Sequence, residues 1–347
     1  MKTILPTAPD EALPEHAIFK ITTTPSQTLK KKRTPMKTTL PLLLTACAAL
    51  LLGSPAMPVR ADILYAANYG NNTIVKFTGG GAGSVFGSVG GPIGLAFDST
   101  GHLYTASGDS IVKFTLGGIG SVFASDGLRG TAGLAFDGAG SLYAANIYPL
   151  ALDIGFVAIE KFTSSGVGSI FATGQTYGLA FDAAGNLYAS NYNENTIEKF
   201  TPGGAGSVFA SSGLNGPAGL AFDSAGNLYV SNYGDNTIKK FTPGGVGSVF
   251  ASSGLNGPVG LAFDSAGNLY AANQLANSIT EFTPGGVGSV FASGLDNPLF
   301  LAFTNDAGVP LRLANQVPEP ATWAMLGLGI PALLGFRRRP ARPFAMR

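Results

Sequence analysis

The stretch FDSAGNLYVSNYGDNTIKKFTPGG, residues 222–245, decides the fold because the chain repeats it. Closely similar stretches begin at Phe181 and Phe263. The shorter word GLAFD occurs five times at spacings of 39, 45, 41 and 41 residues, and a degenerate copy, FLAFT, ends at Thr304. The word KFT, or its variant EFT, occurs six times. A period near 41 residues indicates a solenoid or a propeller.

Each copy divides into four short apolar runs, which from residue 217 onward read PAGLAFD, NLYVSN, TIKKFT and GSVFAS. Glycine, proline and asparagine separate these runs, which is the pattern of strands joined by tight turns. The body shows no sustained 3.6-residue apolar period, so we expect no helices there. Four strands in about 40 residues are typical of one β-propeller blade.

The two ends of the body complement each other. The body begins at Ile63 with the second strand of a blade, and it ends with PLFLAFT, residues 298–304, which is the missing first strand. A blade shared by both ends would close the ring and leave no free edge at the junction. The sequence therefore predicts an all-β, six-bladed β-propeller with four-stranded blades over residues 62–316. The word LRLAN, residues 311–315, resembles another second strand, which would either compete with residues 64–68 for the same place or begin a linker. A seven-bladed ring is the alternative to six blades.

The repeated words resemble the NHL repeat, whose blades read roughly D-x-x-G-N, a hydrophobic residue, Y-V-A-D, and then K-F. The resemblance spans nearly the whole body and implies a propeller of the NHL or SMP-30-like kind. It implies little about function. Where NHL repeats often end the second strand with aspartate, this chain has asparagine in five copies and Ser107 in the remaining one.

Charge and cysteine content exclude some classes of function. Residues 62–316 hold 16 acidic and 8 basic side chains, so the body carries about −8 and we expect no nucleic-acid partner. Cys47 is the only cysteine and lies in an apolar leader. A body without thiols can form no disulfide, CxxC redox pair or cysteine zinc site.

The N-terminal residues read as an export signal. Residues 36–61 combine a basic start, an apolar run at 40–52 and the small-residue site Val59-Arg60-Ala61, which predicts a signal peptide and export through Sec. Residues 1–35 are either a disordered extension or long n-region, or they precede the true start, so Met1 and Met36 both stay open as the start. A lipoprotein cleavage at Cys47 and a buried or membrane helix are the alternatives.

The C-terminal residues 317–347 form a second signal. Pro318-Glu319-Pro320 precedes an apolar run at 321–336, and Arg337-Arg338-Arg339 follow it. This order resembles the PEP-CTERM sorting signal, with its motif, short transmembrane helix and basic tail. The resemblance implies an exported Gram-negative protein whose tail is processed by an exosortase, with membrane contact through 321–336 before processing. It further implies a final place in the cell envelope or outside the cell. An ordinary stop-transfer anchor is the alternative.

The asparagine that ends most second strands, and the tyrosine that follows three of them, suggest a binding site. The loops between second and third strands should emerge on one face of the ring, where amide and aromatic groups would suit sugars. The residues are Asn68, Tyr69, Asn146, Asn191, Tyr192, Asn232, Tyr233 and Asn273. The alternative is that each asparagine caps its own turn. The long apolar loop between Asn146 and Ile159, which carries Asp153, shares this face and is either a lid or docking knob, or folds against its own blade.

The sequence favours a binding or scaffold module over an enzyme. Six-bladed gluconolactonase-type propellers hold a divalent cation in the channel with unlike ligands beside a general base. Here Glu160, Glu198 and Glu281 lie in or beside the KFT strand, outside the inner strand, and His102 replaces a turn asparagine. We therefore expect no catalytic residues, metal or cofactor, and a partner that is an extracellular polysaccharide or an envelope protein. The alternative is a calcium-assisted lactone hydrolase.

Overall fold

The computed structural model describes residues 62–147 and 157–311. The expected signal peptide, the sorting signal and most of the long loop lie outside these residues. Within these ranges no helical segment has the length and hydropathy needed to span a bilayer. The described residues form strands joined by turns, in chain order β1 (Ile63–Asn68), β2 (Thr73–Thr78), β3 (Gly83–Ser88), β4 (Pro92–Phe97), β5 (Leu103–Ser107), β6 (Ser110–Phe114), β7 (Gly120–Ala124), β8 (Thr131–Phe136), β9 (Leu142–Asn146), β10 (Ala158–Phe162), β11 (Gly168–Thr173), β12 (Leu179–Phe181), β13 (Leu187–Asn191), β14 (Thr196–Phe200), β15 (Gly206–Ala210), β16 (Pro217–Phe222), β17 (Leu228–Asn232), β18 (Thr237–Phe241), β19 (Gly247–Ala251), β20 (Pro258–Phe263), β21 (Leu269–Asn273), β22 (Ser278–Phe282), β23 (Gly288–Ser293) and β24 (Pro298–Thr304).

The strands build six four-stranded antiparallel blades over the described residues. Blades 2 to 6 are β4–β7, β8–β11, β12–β15, β16–β19 and β20–β23. Blade 1 has the order β24-β1-β2-β3, so it joins the two ends of the body, with Leu64 opposite Phe303 and Ile63 opposite Thr304. The predicted closure and the count of six are confirmed. Leu311 does not compete with β1, because its N–H donates to the carbonyl of Phe303 on the other side of β24.

The same aromatic contact holds each blade to the next. In blade 5, the Tyr229 ring meets Phe250 of its own blade at 4.9 Å and Phe263 of blade 6 at 5.0 Å, both edge to face. Equivalent tyrosines in the other blades make the same two contacts, at 4.9–5.1 Å between ring centroids. Edge-to-face pairs stabilise beyond the area that they bury. This explains why the words LYxxN, GSVF and GLAF recur together.

A glycine lets the inner strands approach each other. The N–H of Gly219 in β16 donates to Ser231 Oγ at 2.8 Å, and that hydroxyl donates to the Val259 carbonyl of the next blade at 2.6 Å. A Cβ at Gly219 would lie 2.1 Å from the same Val259 oxygen. The sixth equivalent position holds Phe300, whose ring packs on Tyr177 at 5.8 Å. These two rings, with Ala218, Val259 and Leu299, form an apolar cluster of the inner strands.

A second recurring contact lies at the opposite end of the strands. Asp223 Oδ1 accepts the N–H groups of Ala225 and Asn227, so it closes the turn after GLAFD. Lys240 pairs with Asp223 Oδ2 at 3.5 Å and lies over the Tyr229 ring at 5.1 Å. The equivalent lysines of blades 2, 3 and 4 make the same ion pair, so in four blades this lysine is a partly buried ion-pair partner. Glu281 takes this position in blade 6, where burial and the Glu281 carboxylate raise the pKa of Tyr270.

Candidate functional site

The ring has two different faces. Turns between first and second strands and between third and fourth strands lie on one side, which we call the Asp face after Asp98, Asp137, Asp182, Asp223 and Asp264. Loops between second and third strands, and those that lead into the next blade, lie on the other side, which we call the Tyr face after Tyr69, Tyr192 and Tyr233. Every residue of the predicted binding site belongs to the Tyr face.

The asparagines of this site are buried. Asn68, Asn146, Asn191, Asn232 and Asn273 are only 0–3% exposed. The Asp296 N–H donates to Asn68 Oδ1 at 2.7 Å, and the Asn256 N–H donates to Asn273 Oδ1 at 3.1 Å. Asn191 instead accepts a hydrogen bond from its own turn, from the Glu194 N–H. These amides thus fasten loops and turns of the Tyr face, and they present little surface to a ligand.

A second set of asparagines ties neighbouring blades together. Asn72, Asn195, Asn236 and Asn277 adopt positive φ angles of 53–56°, a conformation that asparagine tolerates better than most residues. The side chain of Asn195 accepts the Gly216 N–H at 2.7 Å, and that of Asn236 accepts the Gly257 N–H at 2.6 Å. Each bond runs from one blade to the loop that begins the next. Asparagine side chains that accept backbone N–H groups therefore hold the loops of the Tyr face in place.

A cavity of about 380 Å³ opens on the Tyr face. Tyr177, Tyr192 and Tyr233 form part of its wall. The ring centroid of Tyr192 lies 6.3 Å from that of Tyr177 and 6.0 Å from that of Tyr233. Tyr192 is 40% exposed, whereas Tyr177 lies deeper against Phe300. The remaining lining residues are Ile147, Gln175, Thr176, Asn193, Ala218, Val259 and Gln274. Of the predicted site residues, the structure brings Tyr192 and Tyr233 together here, while Tyr69 stands on the same face with 42% exposure.

The cavity wall is more apolar than polar, and none of its described lining residues carries a charged side chain. The Thr176 hydroxyl is buried and has no hydrogen-bond partner within the described chain, and the Asn193 amide donates to Gln175 Oε1 at 2.7 Å. A buried hydroxyl without a partner costs free energy unless something bonds to it. Burial and the neighbouring phenols raise the pKa of Tyr177 to about 12, so its phenol is neutral at physiological pH. Such a wall suits a neutral ligand with hydroxyl groups.

The cavity breaks the sixfold pattern of the chain. The position after each second strand holds, in blade order, Tyr69, Gly108, Ile147, Tyr192, Tyr233 and Gln274. Tyr177 is the single aromatic residue at the position before the inner glycine, where other blades have Ile93, Ala132, Ala218 and Val259. Sequence reasoning missed Tyr177, Gln175, Thr176 and Gln274. Departure from the repeat was the signal that could have found Tyr177.

The Asp face has a separate cavity of about 680 Å³. Its wall contains the last apolar residue of each first strand, Phe97, Phe136, Phe181, Phe222, Phe263 and Phe303. Pro310 and Leu311 also line it, so the described chain ends beside this cavity. Asp62 lies on the same face, where its carboxylate accepts the Ser265 N–H at 2.6 Å. Both ends of the described propeller therefore leave from the Asp face.

The acidic residues considered as metal ligands lie away from the channel. Glu160, Glu198 and Glu281 belong to the third strands β10, β14 and β22. Residues of the inner strands that meet at the ring centre are apolar, such as Ala218, Val259 and Leu299. Among the described residues, no group of three or more His, Cys, Asp or Glu side chains is placed to hold a metal ion.

Comparison with known families agrees with both parts of the sequence interpretation. The model of the NHL repeat matches residues 214–241, which include the loop before blade 5 and its strands β16 to β18. The model of the PEP-CTERM protein-sorting motif matches residues 316–339. The chain is thus a six-bladed β-propeller that carries an NHL repeat and a PEP-CTERM sorting motif. The motif is a sorting signal recognised by exosortase and indicates export to the cell envelope or the extracellular space, and the propeller indicates a binding module.

Solved structures share the fold. A chain in the crystal structure of a nidogen/laminin complex is 21% identical, with 70% of this chain and 98% of that chain covered and a TM-score of 0.61. A catalytically inactive virginiamycin B lyase from Staphylococcus aureus, solved with quinupristin, is 13% identical, with 73% and 94% covered and a TM-score of 0.52. At these identities the likeness concerns the fold alone. Among proteins with curated functions, none is significantly similar to this chain.

Proposed function

We propose that this protein is a non-enzymatic, exported propeller whose Tyr-face cavity binds an extracellular polysaccharide. The observation that carries the proposal is the wall of Tyr177, Tyr192 and Tyr233 beside amide groups and the unpaired Thr176 hydroxyl. Sugar rings combine flat apolar faces with hydroxyl groups, so they need aromatic surfaces and neutral hydrogen-bonding groups together. Cavities of this size with a few convergent polar groups are typical of ligand sites.

The positions of the chain ends fit this role. Asp62 and Leu311 both lie on the Asp face, and the sorting motif at 316–339 follows Leu311 closely in sequence. While the tail holds the protein at the membrane, the Asp face would be the tethered side. The Tyr-face cavity would then open away from the membrane, toward the polysaccharide that surrounds the cell.

Replacement of Tyr192 by alanine is the direct test. We expect Tyr192→Ala to weaken binding of the purified exported protein to the producing organism's extracellular polysaccharide about tenfold, which is about 1.4 kcal/mol. The physical reason is the loss of an exposed aromatic surface that is already rigidly placed. Isothermal titration calorimetry, supported by a glycan array, measures the change.

Leu116→Ala provides the matched control, because Leu116 is a 67% exposed apolar residue of a turn on the Asp face. This variant should bind like the parent. If neither the parent nor Tyr192→Ala binds any bacterial glycan, the polysaccharide proposal fails. Capture of an envelope protein through the same tyrosines would instead assign the cavity to a protein ligand.

The alternative proposal, a calcium-assisted lactone hydrolase, is tested by metal and substrate together. We expect no tight calcium binding by calorimetry and no lactone or ester hydrolysis that EDTA abolishes, because the inner-strand residues at the ring centre are apolar and a catalytic ion needs several oxygen ligands converging on it. Hydrolysis that calcium restores after EDTA treatment would show that the protein is an enzyme.

A further inference from the structure

The outer strand of every blade has an unpaired edge. In all six blades the fourth strand, β3, β7, β11, β15, β19 or β23, pairs with the third strand on one side and with no strand of the described chain on the other. Their sequences are GSVFGS, GSVFA, GSIFAT, GSVFA, GSVFA and GSVFAS. None contains a charged residue or proline. The perimeter of the ring thus presents the same uncharged edge six times.

Each edge exposes a β-branched apolar residue. In blade 5, Val249 is 55% exposed, and Val246 in the turn before it is 70% exposed. The equivalent residues in the other outer strands are 55–69% exposed, namely Val85, Val122, Ile170, Val208 and Val290. An apolar side chain on an unpaired strand is stabilised when another strand covers it.

These edges lack the charge and proline that usually block pairing between molecules. Natural edge strands are commonly protected by lysine, proline or a bulge. Here each outer strand has a register shift relative to the third strand of its blade. In blade 5, Val249 pairs with Lys239, but the next pair is Ala251 with Ile238, so the pairing skips one residue of the outer strand. The shift follows the valine, so the segment from Gly247 to Val249 keeps regular pairing with β18. A segment of three regularly paired residues with an open outer edge therefore remains in every blade.

We propose that these outer strands pair edge to edge with the outer strands of further copies of this protein. Two antiparallel strands related by a twofold axis use the same surface on both sides, so an identical copy is the partner that matches every edge. The net charge of about −8 over residues 62–316 opposes the association of copies, but the outer strands themselves carry no charged residue. At these strands two copies can meet without placing acidic side chains directly against each other.

Repetition compensates for the small size of one contact. A pair of strands five or six residues long buries less surface than a stable protein interface needs. A molecule with six such edges can hold several neighbours at once, and each further contact strengthens the whole by effective concentration. Edges that point outward around a ring lead to an extended layer rather than a closed dimer. The propellers themselves would then build part of an extracellular matrix.

Lysine on the outer strands tests the proposal. We expect the exported protein to assemble with increasing concentration, and the triple variant Val208→Lys, Val249→Lys, Val290→Lys to need about tenfold more protein for the same assembly. Lysine at all six positions should abolish assembly. Since lysine also reduces the net negative charge, a simple charge effect would favour association instead. Sedimentation velocity and light scattering measure the assemblies, and circular dichroism checks that each variant is folded.

The matched control places three lysines in loops, outside the strands. Ser125, Ser212 and Ser253 are exposed loop residues, and their replacement by lysine should leave assembly as in the parent. Assembly should also strengthen with salt, because salt screens the repulsion between acidic bodies. A parent protein that stays monomeric up to its solubility limit would refute the proposal. A serine variant that loses as much assembly as the valine variant would refute it equally.

Discussion

Gly219→Ala is expected to destabilise the propeller by about 3 kcal/mol, because the new methyl group would occupy the position of a neighbouring backbone. Its Cβ would lie 2.1 Å from the Val259 carbonyl oxygen and 3.0 Å from the Gly260 Cα. Neither atom belongs to a flexible side chain, so β16 and β20 must separate. That separation would also strain the buried bonds of Ser231 to Gly219 and Val259, which leave polar groups unsatisfied when broken.

Thermal unfolding followed by circular dichroism measures this effect. For a chain of this size, about 3 kcal/mol corresponds to a fall in melting temperature of roughly 9 °C. Gly138→Ala is the control, because Gly138 is an exposed turn residue with ordinary φ, and a Cβ there would have no neighbouring atom within 4 Å. Blade 4 already has Ala183 at that position. The control should melt within about 2 °C of the parent.

An unchanged melting temperature of Gly219→Ala would contradict the prediction. Phe300 shows that the first strand of blade 1 accepts a large side chain at this position. If Gly219→Ala melts like the parent, blades 5 and 6 can also move apart, and the inner glycines are not needed for close packing. The prediction about the glycines would then be wrong, although the count of blades would be unaffected.

The fold could be predicted from the sequence because the same requirement recurs in every blade. A tyrosine such as Tyr229 must meet two phenylalanines, and a turn aspartate such as Asp223 must receive backbone N–H groups, so the words repeat. The closure could also be predicted, since β24 supplies the strand that β1 lacks. Repetition is therefore a reliable guide to whatever each blade needs in order to fold.

The candidate site could be predicted only in part, for the same reason. The asparagine position attracted attention because it repeats, yet repetition reflects its structural bonds, such as Asn273 with the Asn256 N–H. The cavity depends on residues that differ between blades, among them Tyr177 and Gln274. Tyr177 and Tyr192 are 15 positions apart in the sequence and meet only when the blade is folded. The side-chain contacts of the lysines, such as Lys240 over Tyr229, likewise required the register of the strands.

Glu160→Gln is expected to stabilise the protein at neutral and alkaline pH. Glu160 is only 4% exposed, and its side chain lies beside Gly127 and Gly168 in space that a Cβ on either glycine would crowd. Burial raises the pKa of this carboxyl to about 7. Ionised Glu160 is therefore costly in the folded state, and a neutral glutamine of similar shape avoids that cost.

The pH dependence follows from the direction of the pKa shift. Below the unfolded pKa of about 4.5, Glu160 is protonated in both states and does not alter the free energy of unfolding. Between about 4.5 and 7 the unfolded chain releases the proton and the folded chain keeps it, so the parent loses stability as pH rises. The loss is nearly complete by about pH 8 and is on the order of 3 kcal/mol. Chemical denaturation of the parent and the variant at pH 4, 6 and 8 should show the gain growing along that series.

Glu198→Gln supplies the comparison within the same fold. Glu198 occupies the equivalent position in blade 4, where it is half-buried, and burial followed by repulsion from Glu194 raises its pKa. Greater contact with water should make its gain at pH 8 smaller than that of Glu160→Gln. Equal gains from the two variants would mean that general acidic repulsion, rather than burial of Glu160 between blades, sets the pH dependence. A gain at pH 4 as large as that at pH 8 would exclude ionisation of Glu160 as its cause.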